Sequence, residues 1–88
     1  MENIDNKQSL VLENRKKLTI DGIINVNCFN DDYLELSSKL GIIGVEGENL
    51  KIEELIQESG KIYITGNISG VFYKEPRNNK GFFNKIFK

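Results

Sequence analysis

The 88-residue sequence contains no histidine and no tryptophan, and it has one proline, one cysteine and one methionine. Without histidine there is no Ser-His or Cys-His nucleophile pair and no imidazole metal site. A single cysteine, Cys28, excludes an intramolecular disulfide and fits a reducing compartment better than an export route. No apolar run approaches the ~20 residues of a spanning helix. The acidic, polar opening Met1-Glu2-Asn3-Ile4-Asp5 is not that of a secretory signal. Charge of one sign is also missing: 12 basic against 13 acidic side chains leave a net −1. A nucleic-acid binder needs a basic excess to displace phosphate counterions, so nucleic acid is not an expected partner.

What is present is alternation with period two, the mark of half-buried strands. Leu10/Leu12, Leu18/Ile20, Ile24/Val26/Cys28, Leu34/Leu36, Ile43/Val45, Leu50/Ile52, Ile62/Ile64 and Val71/Tyr73 each alternate with intervening residues. Turn-forming residues at Asn30-Asp31-Asp32, Gly47-Glu48-Asn49, Glu58-Ser59-Gly60 and Gly66-Asn67 separate several of these runs. The pattern predicts an all-β, small single domain of about eight short, mostly antiparallel strands, a sandwich or roll. Its expected core is Leu10, Leu18, Ile20, Val26, Leu34, Leu36, Val45, Leu50, Ile52, Ile62, Ile64 and Val71. Leu50 to Glu58 admits a helix, but its clean initial alternation favours strand. An apolar-x-apolar-x-Gly pattern recurs at Leu18–Gly22, Ile43–Gly47 and Ile62–Gly66. The irregular spacing favours strands that simply end at glycine over a true repeat.

The predicted organisation is a loose segment over residues 1–8, a β-domain over 9–74, a polar linker over 75–79 and a tail over 80–88. Pro76 cannot donate to a central ladder and marks the end of the sheet. On a helix of 3.6 residues per turn, Phe82, Phe83, Ile86 and Phe87 share one face, with Lys85 and Lys88 opposite and Lys80 at the edge. Residues 1–73 carry 7 basic and 12 acidic groups, a net −5, whereas residues 74–88 carry 5 and 1, a net +4. Such a basic, aromatic amphipathic segment suits peripheral membrane contact, docking on a protein, or a plug over its own sheet.

Other residues carry weaker signals. The acids Asp31, Asp32 and Glu35, and Glu46, Glu48, Glu53 and Glu54, lack the spacing of a calcium loop and read as solvated turns and faces. The Arg15-Lys16-Lys17 run suits solubility or edge protection better than phosphate binding. Cys28, in phase with Ile24 and Val26, is expected to be a buried structural thiol. Tyr63 and Phe72 fall on the polar phase of their strands; on one exposed face they would form a patch for another subunit. No catalytic, cofactor or metal residues emerge, so no enzyme is expected.

Five stretches together resemble the YabP/YqfC family of sporulation proteins. They are Asn14-Arg15-Lys16-Lys17-Leu18-Thr19-Ile20-Asp21-Gly22, Ile24-Asn25-Val26-Asn27-Cys28-Phe29-Asn30, Leu40-Gly41-Ile42-Ile43-Gly44-Val45-Glu46-Gly47-Glu48-Asn49-Leu50, Gly60-Lys61-Ile62-Tyr63-Ile64-Thr65-Gly66-Asn67-Ile68 and Lys80-Gly81-Phe82-Phe83-Asn84-Lys85-Ile86-Phe87-Lys88. The last resembles the YabP branch, and Cys28 stands where serine is usual. The similarity covers roughly residues 8–88. It implies a non-enzymatic protein of the mother cell of an endospore former, needed for the spore envelope and acting by protein binding. It also implies a location in the mother-cell cytoplasm or at the membrane around the forespore. A polytopic membrane protein, YabQ, is the partner it suggests, and a homo-oligomer is a further expectation. The alternative is a self-assembling structural protein of the spore surface.

Overall fold

A computed structural model describes residues 7–74. The strands are β1 (Leu10–Glu13), β2 (Lys17–Ile20), β3 (Ile23–Phe29), β4 (Tyr33–Ser38), β5 (Gly41–Ile56) and β6 (Lys61–Lys74). All pairings are antiparallel, and the sheet order is β1-β2-β6-β5-β4-β3. The architecture is all-β, as the alternation predicts. The expected amphipathic segment over residues 80–88 lies outside the described residues.

Six strands replace the expected eight because two of the expected turns are not turns. Gly47-Glu48-Asn49 lies inside β5, and Gly66-Asn67 lies inside β6. The two long strands stay paired through this region, with Glu46 opposite Gly70, Gly47 opposite Ile68, Glu48 opposite Asn67 and Lys51 opposite Thr65. The intervening register shifts are bulges, which bend and twist a strand without ending its ladder. Glycine is required where the bent backbones meet. Gly66 has φ of 140°, and a Cβ there would come within 2.7 Å of the Asn49 carbonyl oxygen. A Cβ on Gly47 would run into the Asn67 carbonyl.

The bends turn one sheet into two facing halves. One half contains β1, β2, residues 61–65 of β6 and residues 51–56 of β5. The other contains β3, β4, residues 41–46 of β5 and residues 70–74 of β6. Leu18, Ile20, Ile62 and Ile64 of the first half and Leu34, Leu36, Ile43 and Val45 of the second belong to one buried cluster. Leu50 and Ile68, beside the bends, complete it with Ile23. Of the expected core, Leu10, Val26, Ile52 and Val71 pack partly buried around this cluster. Ile23, Ile43 and Ile68 replace them in the fully buried set.

Short hairpin tips hold each bend. The β1–β2 tip has two consecutive positive φ values, 53° at Asn14 and 59° at Arg15, the arrangement of a type I′ turn. The Arg15 and Lys16 carbonyls accept from the amides of Ile68 (2.8 Å) and Gly66 (3.2 Å) at the bend of β6. At the β3–β4 tip, the Asp31 and Asp32 carbonyls accept from Leu50 (2.9 Å) and Gly47 (3.2 Å) at the bend of β5. The two halves match in register as well. Ile43 and Val45 face Leu36 and Leu34, while Ile62 and Ile64 face Ile20 and Leu18. Two copies of the apolar-x-apolar-x-Gly pattern therefore occupy equivalent places, and their glycines mark bends rather than strand ends. The third copy ends at Gly22, where φ is 73° and the chain leaves β2 for β3.

Gly66→Ala should cost at least about 1–3 kcal/mol, the usual range for a side chain forced into such backbone geometry. Gly70→Ala is the control, because its Cβ would meet only Glu46 Oε1 at 3.8 Å. Urea unfolding of both variants checks this, and equal losses would show that the bend does not depend on glycine.

Candidate functional site

Lys80, Phe82, Phe83, Lys85, Ile86, Phe87 and Lys88 lie outside the described residues. Tyr63 and Phe72 are described, and both point away from the core. Tyr63 sits in a row with Thr19 and Glu54 on the outside of the first half. Phe72 sits opposite Gly44 on the outside of the second half. The facing halves turn these surfaces in opposite directions, so the two aromatics do not form one patch.

Phe72 instead belongs to a mixed polar and aromatic surface built on β4, β5 and β6. Its ring lies over Gly44, where a Cβ would come within 2.6 Å of Cζ, so glycine at 44 is what admits the ring. Beside it, Lys74 Nζ donates to Glu35 Oε1 at 2.9 Å and to the Tyr33 hydroxyl at 3.2 Å, and lies 5.7 Å from the Tyr33 ring centroid. The Tyr33 hydroxyl donates to Glu35 Oε1 at 3.2 Å, and Asn27 Nδ2 donates to Glu35 Oε2 at 3.2 Å. Ser37 Oγ donates to Asn27 Oδ1 at 3.0 Å, a second link between β4 and β3. The Lys74 hydrogen bond is the largest influence holding the Glu35 carboxyl below its ordinary range, followed by Asn27. Glu35 in turn raises Lys74, with the Tyr33 hydroxyl adding to it. This is a satisfied ion pair, which fixes side chains and offers no free acid or base for proton transfer.

The remaining acids spread along tips and outer rows. Thr65 Oγ1 donates to Glu53 Oε2 at 2.8 Å, and Glu46 faces Gly70. Among the described residues, no group of three cysteines or carboxylates could hold a metal ion. Arg15 and Lys16 of the basic run line an open cleft of about 370 Å³ with Asn14, Glu48, Asn67 and Ile68. Its side chains are partly committed: Arg15 Nε donates to the Ile68 carbonyl at 3.3 Å, and Lys16 Nζ to Asn67 Oδ1 at 2.9 Å.

Cys28 corrects an expectation, since it is exposed rather than buried. Register shifts between Ile23 and Asn25, and between Val26 and Cys28, break the assumed alternation of β3. Val26 still faces inward opposite Leu36, but Cys28 arrives opposite Glu35 on the outer surface. Ile24, assigned to the same inward phase, is 69% exposed. Sequence reasoning singled out Glu35 and Phe72 separately and missed Tyr33 and Lys74. The Tyr33-x-Glu35 spacing places those two on one face, but joining them to Lys74 requires the β4–β5–β6 register.

Comparison with known proteins adds to this geometry. A family model described as the YabP family matches residues 4–80. The chain is also 30% identical over 88 residues to the spore protein YabP of Bacillus subtilis (strain 168), covering 97% of this chain and 88% of that protein.

Two outcomes are expected at these residues. Cys28→Ser should change stability by no more than about 0.5 kcal/mol, as for most surface substitutions; urea unfolding measures it, and a larger loss would mean that the thiol is packed. For Glu35, a folded-state pKa below the unfolded one stabilises above the ordinary glutamate value of about 4.3. That contribution is lost as pH falls through the lowered pKa. Glu35→Gln should therefore flatten the acid limb of a stability–pH profile and, because Glu35 also holds the Lys74 pKa up, soften its alkaline limb. An unchanged acid limb would contradict the pairing.

Proposed function

The chain belongs to the YabP family of sporulation proteins, and from that premise we propose that it serves in the mother cell to build the spore envelope. It acts by binding a protein partner, with residues 80–88 as the contact segment at a membrane surface. The carrying observation is the extent of the relationship: the family match reaches residue 80, and the alignment with the spore protein covers 97% of the chain. A relationship over nearly the whole chain supports a shared role for the body, with the tail beyond residue 80 carried by the alignment alone. A non-enzymatic role is the reading we favour, since the relative is named as a spore protein and the perturbed groups, Glu35 and Lys74, neutralise each other. The tail supports surface binding through its segregated chemistry, with a net +4 over residues 74–88 and three of the five phenylalanines. Lysines beside aromatic side chains suit anionic headgroups or an acidic protein face. A membrane protein of the YabQ type is the partner class this reading favours.

Phe83→Ala/Phe87→Ala tests the division of labour. Burial of each phenylalanine is worth about 1.5–3 kcal/mol, so losing two is enough to abolish a weak association. The variant should unfold at nearly the native midpoint, lose its position in sporulating cells and lower the yield of heat-resistant spores. A midpoint drop of the ~3–5 kcal/mol per residue typical of core phenylalanines would place the tail in the domain's own core and refute surface docking. Normal spores from a strain lacking the whole protein would refute the role itself.

A further inference from the structure

The folded-over sheet has two unlike ends. At one lie the bends and the two hairpin tips, where Arg15 and Lys16 meet β6 and Asp31 and Asp32 meet β5. The opposite end gathers the remaining connections. There the Ile23 amide donates to the Gly60 carbonyl at 2.8 Å, and the Lys39 amide to the Gly22 carbonyl at 2.9 Å. Gln8 Nε2 donates to the Asp21 carbonyl at 2.8 Å, and the Tyr73 hydroxyl donates to Gln8 Oε1. These bonds draw the β2–β3, β4–β5 and β5–β6 connections and the last residues of β6 into one surface.

That surface is apolar where water reaches it. Ile24 is 69% exposed, Tyr73 51% and Leu40 48%, and Leu55 is exposed with them. Leu40 stands beside Lys39 in the tight turn between β4 and β5. Ile24 and Leu55 share an open cleft between β3 and the end of β5. None of the four belongs to the buried cluster or packs against it. Single exposed apolar residues need no account, whereas four gathered at one end mark a contact surface. The charges of this end balance, with Lys39 and Lys61 against Asp21 and Glu58. The Asp21 carboxylate is also occupied, accepting from the Ser9 amide at 2.8 Å. The acidic cleft of Asp31, Asp32 and Glu48 lies at the other end. An anionic surface therefore meets little repulsion here. The chain leaves β6 at Lys74 on this same side, and beyond it the sequence holds four basic residues, one acid and three of the five phenylalanines.

We infer that this end of the β-domain is itself a lipid-binding surface, on which Ile24, Leu40 and Leu55 enter the headgroup region of an anionic membrane with Lys39 and Lys61 at the rim. The inference rests on the membrane reading of the tail and adds the body residues that set how the domain stands. The acidic tips then point away from the lipid. Apolar burial and attraction to anionic headgroups act together in such contacts. Tail and body also reinforce each other, because once one is seated the other binds at high effective concentration.

The chain holds no tryptophan, so a single introduced one reports cleanly. The vesicles are phosphatidylcholine with about a quarter phosphatidylglycerol, an anionic surface. On them the emission of Leu40→Trp should move to shorter wavelength. Phe29→Trp, at an exposed position on the opposite end, should stay unshifted. Ile24→Ser/Leu40→Ser leaves every charge in place and should bind these vesicles about tenfold more weakly than the native chain, since two apolar side chains no longer leave water. Its unfolding midpoint should be unchanged; if it falls, the tryptophan pair decides alone. Failure of the native chain to bind would refute both this inference and the membrane reading of the tail. Native binding with Leu40→Trp unshifted, or with both reporters shifted alike, overturns this inference alone, as does a stably folded double variant that binds at native strength. A Leu40→Trp shift that grows with protein concentration without vesicles would place a second copy on this end and overturn it as well.

Discussion

One core must be buried between two halves of a single sheet, and the rest of the molecule follows from that constraint. A flat six-stranded sheet of this length would leave Leu18, Ile20, Ile62 and Ile64 facing water on the same side as Leu34, Leu36, Ile43 and Val45. Bending β5 and β6 together lets these two sets bury each other. A joint bend needs close approach of the two backbones, hence Gly47 against Asn67 and Gly66 against Asn49. It also loosens the β5–β6 ladder, leaving amides that need other acceptors. The tips of the two short hairpins supply them, with Arg15 and Lys16 at one bend and Asp31 and Asp32 at the other. The basic run and the acidic pair therefore have backbone duties that set where their charges emerge.

Much of this was legible in the sequence, because alternation reports which face of a strand is buried whatever the strand pairs with. It placed Leu18 and Ile20, Leu34 and Leu36, and Ile62 and Ile64 inward, as the structure has them. It failed where glycine or a bulge interrupts the period. A glycine at the end of an alternating run can mark a turn or a bend, and local sequence does not separate them. Only the strand pairing decides: Gly66 lies inside β6, against β5 across the bend, whereas Gly60 lies in the turn between β5 and β6, against the backbone of Ile23. In β3 the pattern Ile24, Val26, Cys28 looked regular, but two bulges each insert a residue. The thiol then emerges beside Glu35 rather than in the core. Nothing local in Asn25 or Asn27 announces a bulge, since the bulges are set by fitting the seven residues of β3 along five of β4, Leu34–Ser38.

The outer surface of the second half was hidden for a different reason. Tyr33, Glu35, Phe72 and Lys74 are far apart in sequence and meet only through the register of three strands. Gly44 completes the group by its lack of a side chain, an absence that alternation reads as a neutral position. The network also ties β3 to β6 across the face, through Asn27, Glu35 and Lys74. It thereby fixes the end of β6 to the same half that carries Ile24 and Leu40.

Lys74 is the first basic residue of the cationic stretch, and the only one of its five basic groups among the described residues. Its charge is spent internally on Glu35 at 2.9 Å. The acidic body, net −5 over residues 1–73, is therefore joined to the tail through a residue already neutralised. Arg77, Lys80, Lys85 and Lys88 carry the remaining positive charge of that stretch. At physiological salt the screening length is about 8 Å, so the scattered surface acids of the body attract the tail only over short distances. An anionic membrane or an acidic partner presents many charges within that length at once. On the proposed reading the dense surface wins this competition over the dispersed one, and the phenylalanines add an apolar gain wherever that surface lets them leave water.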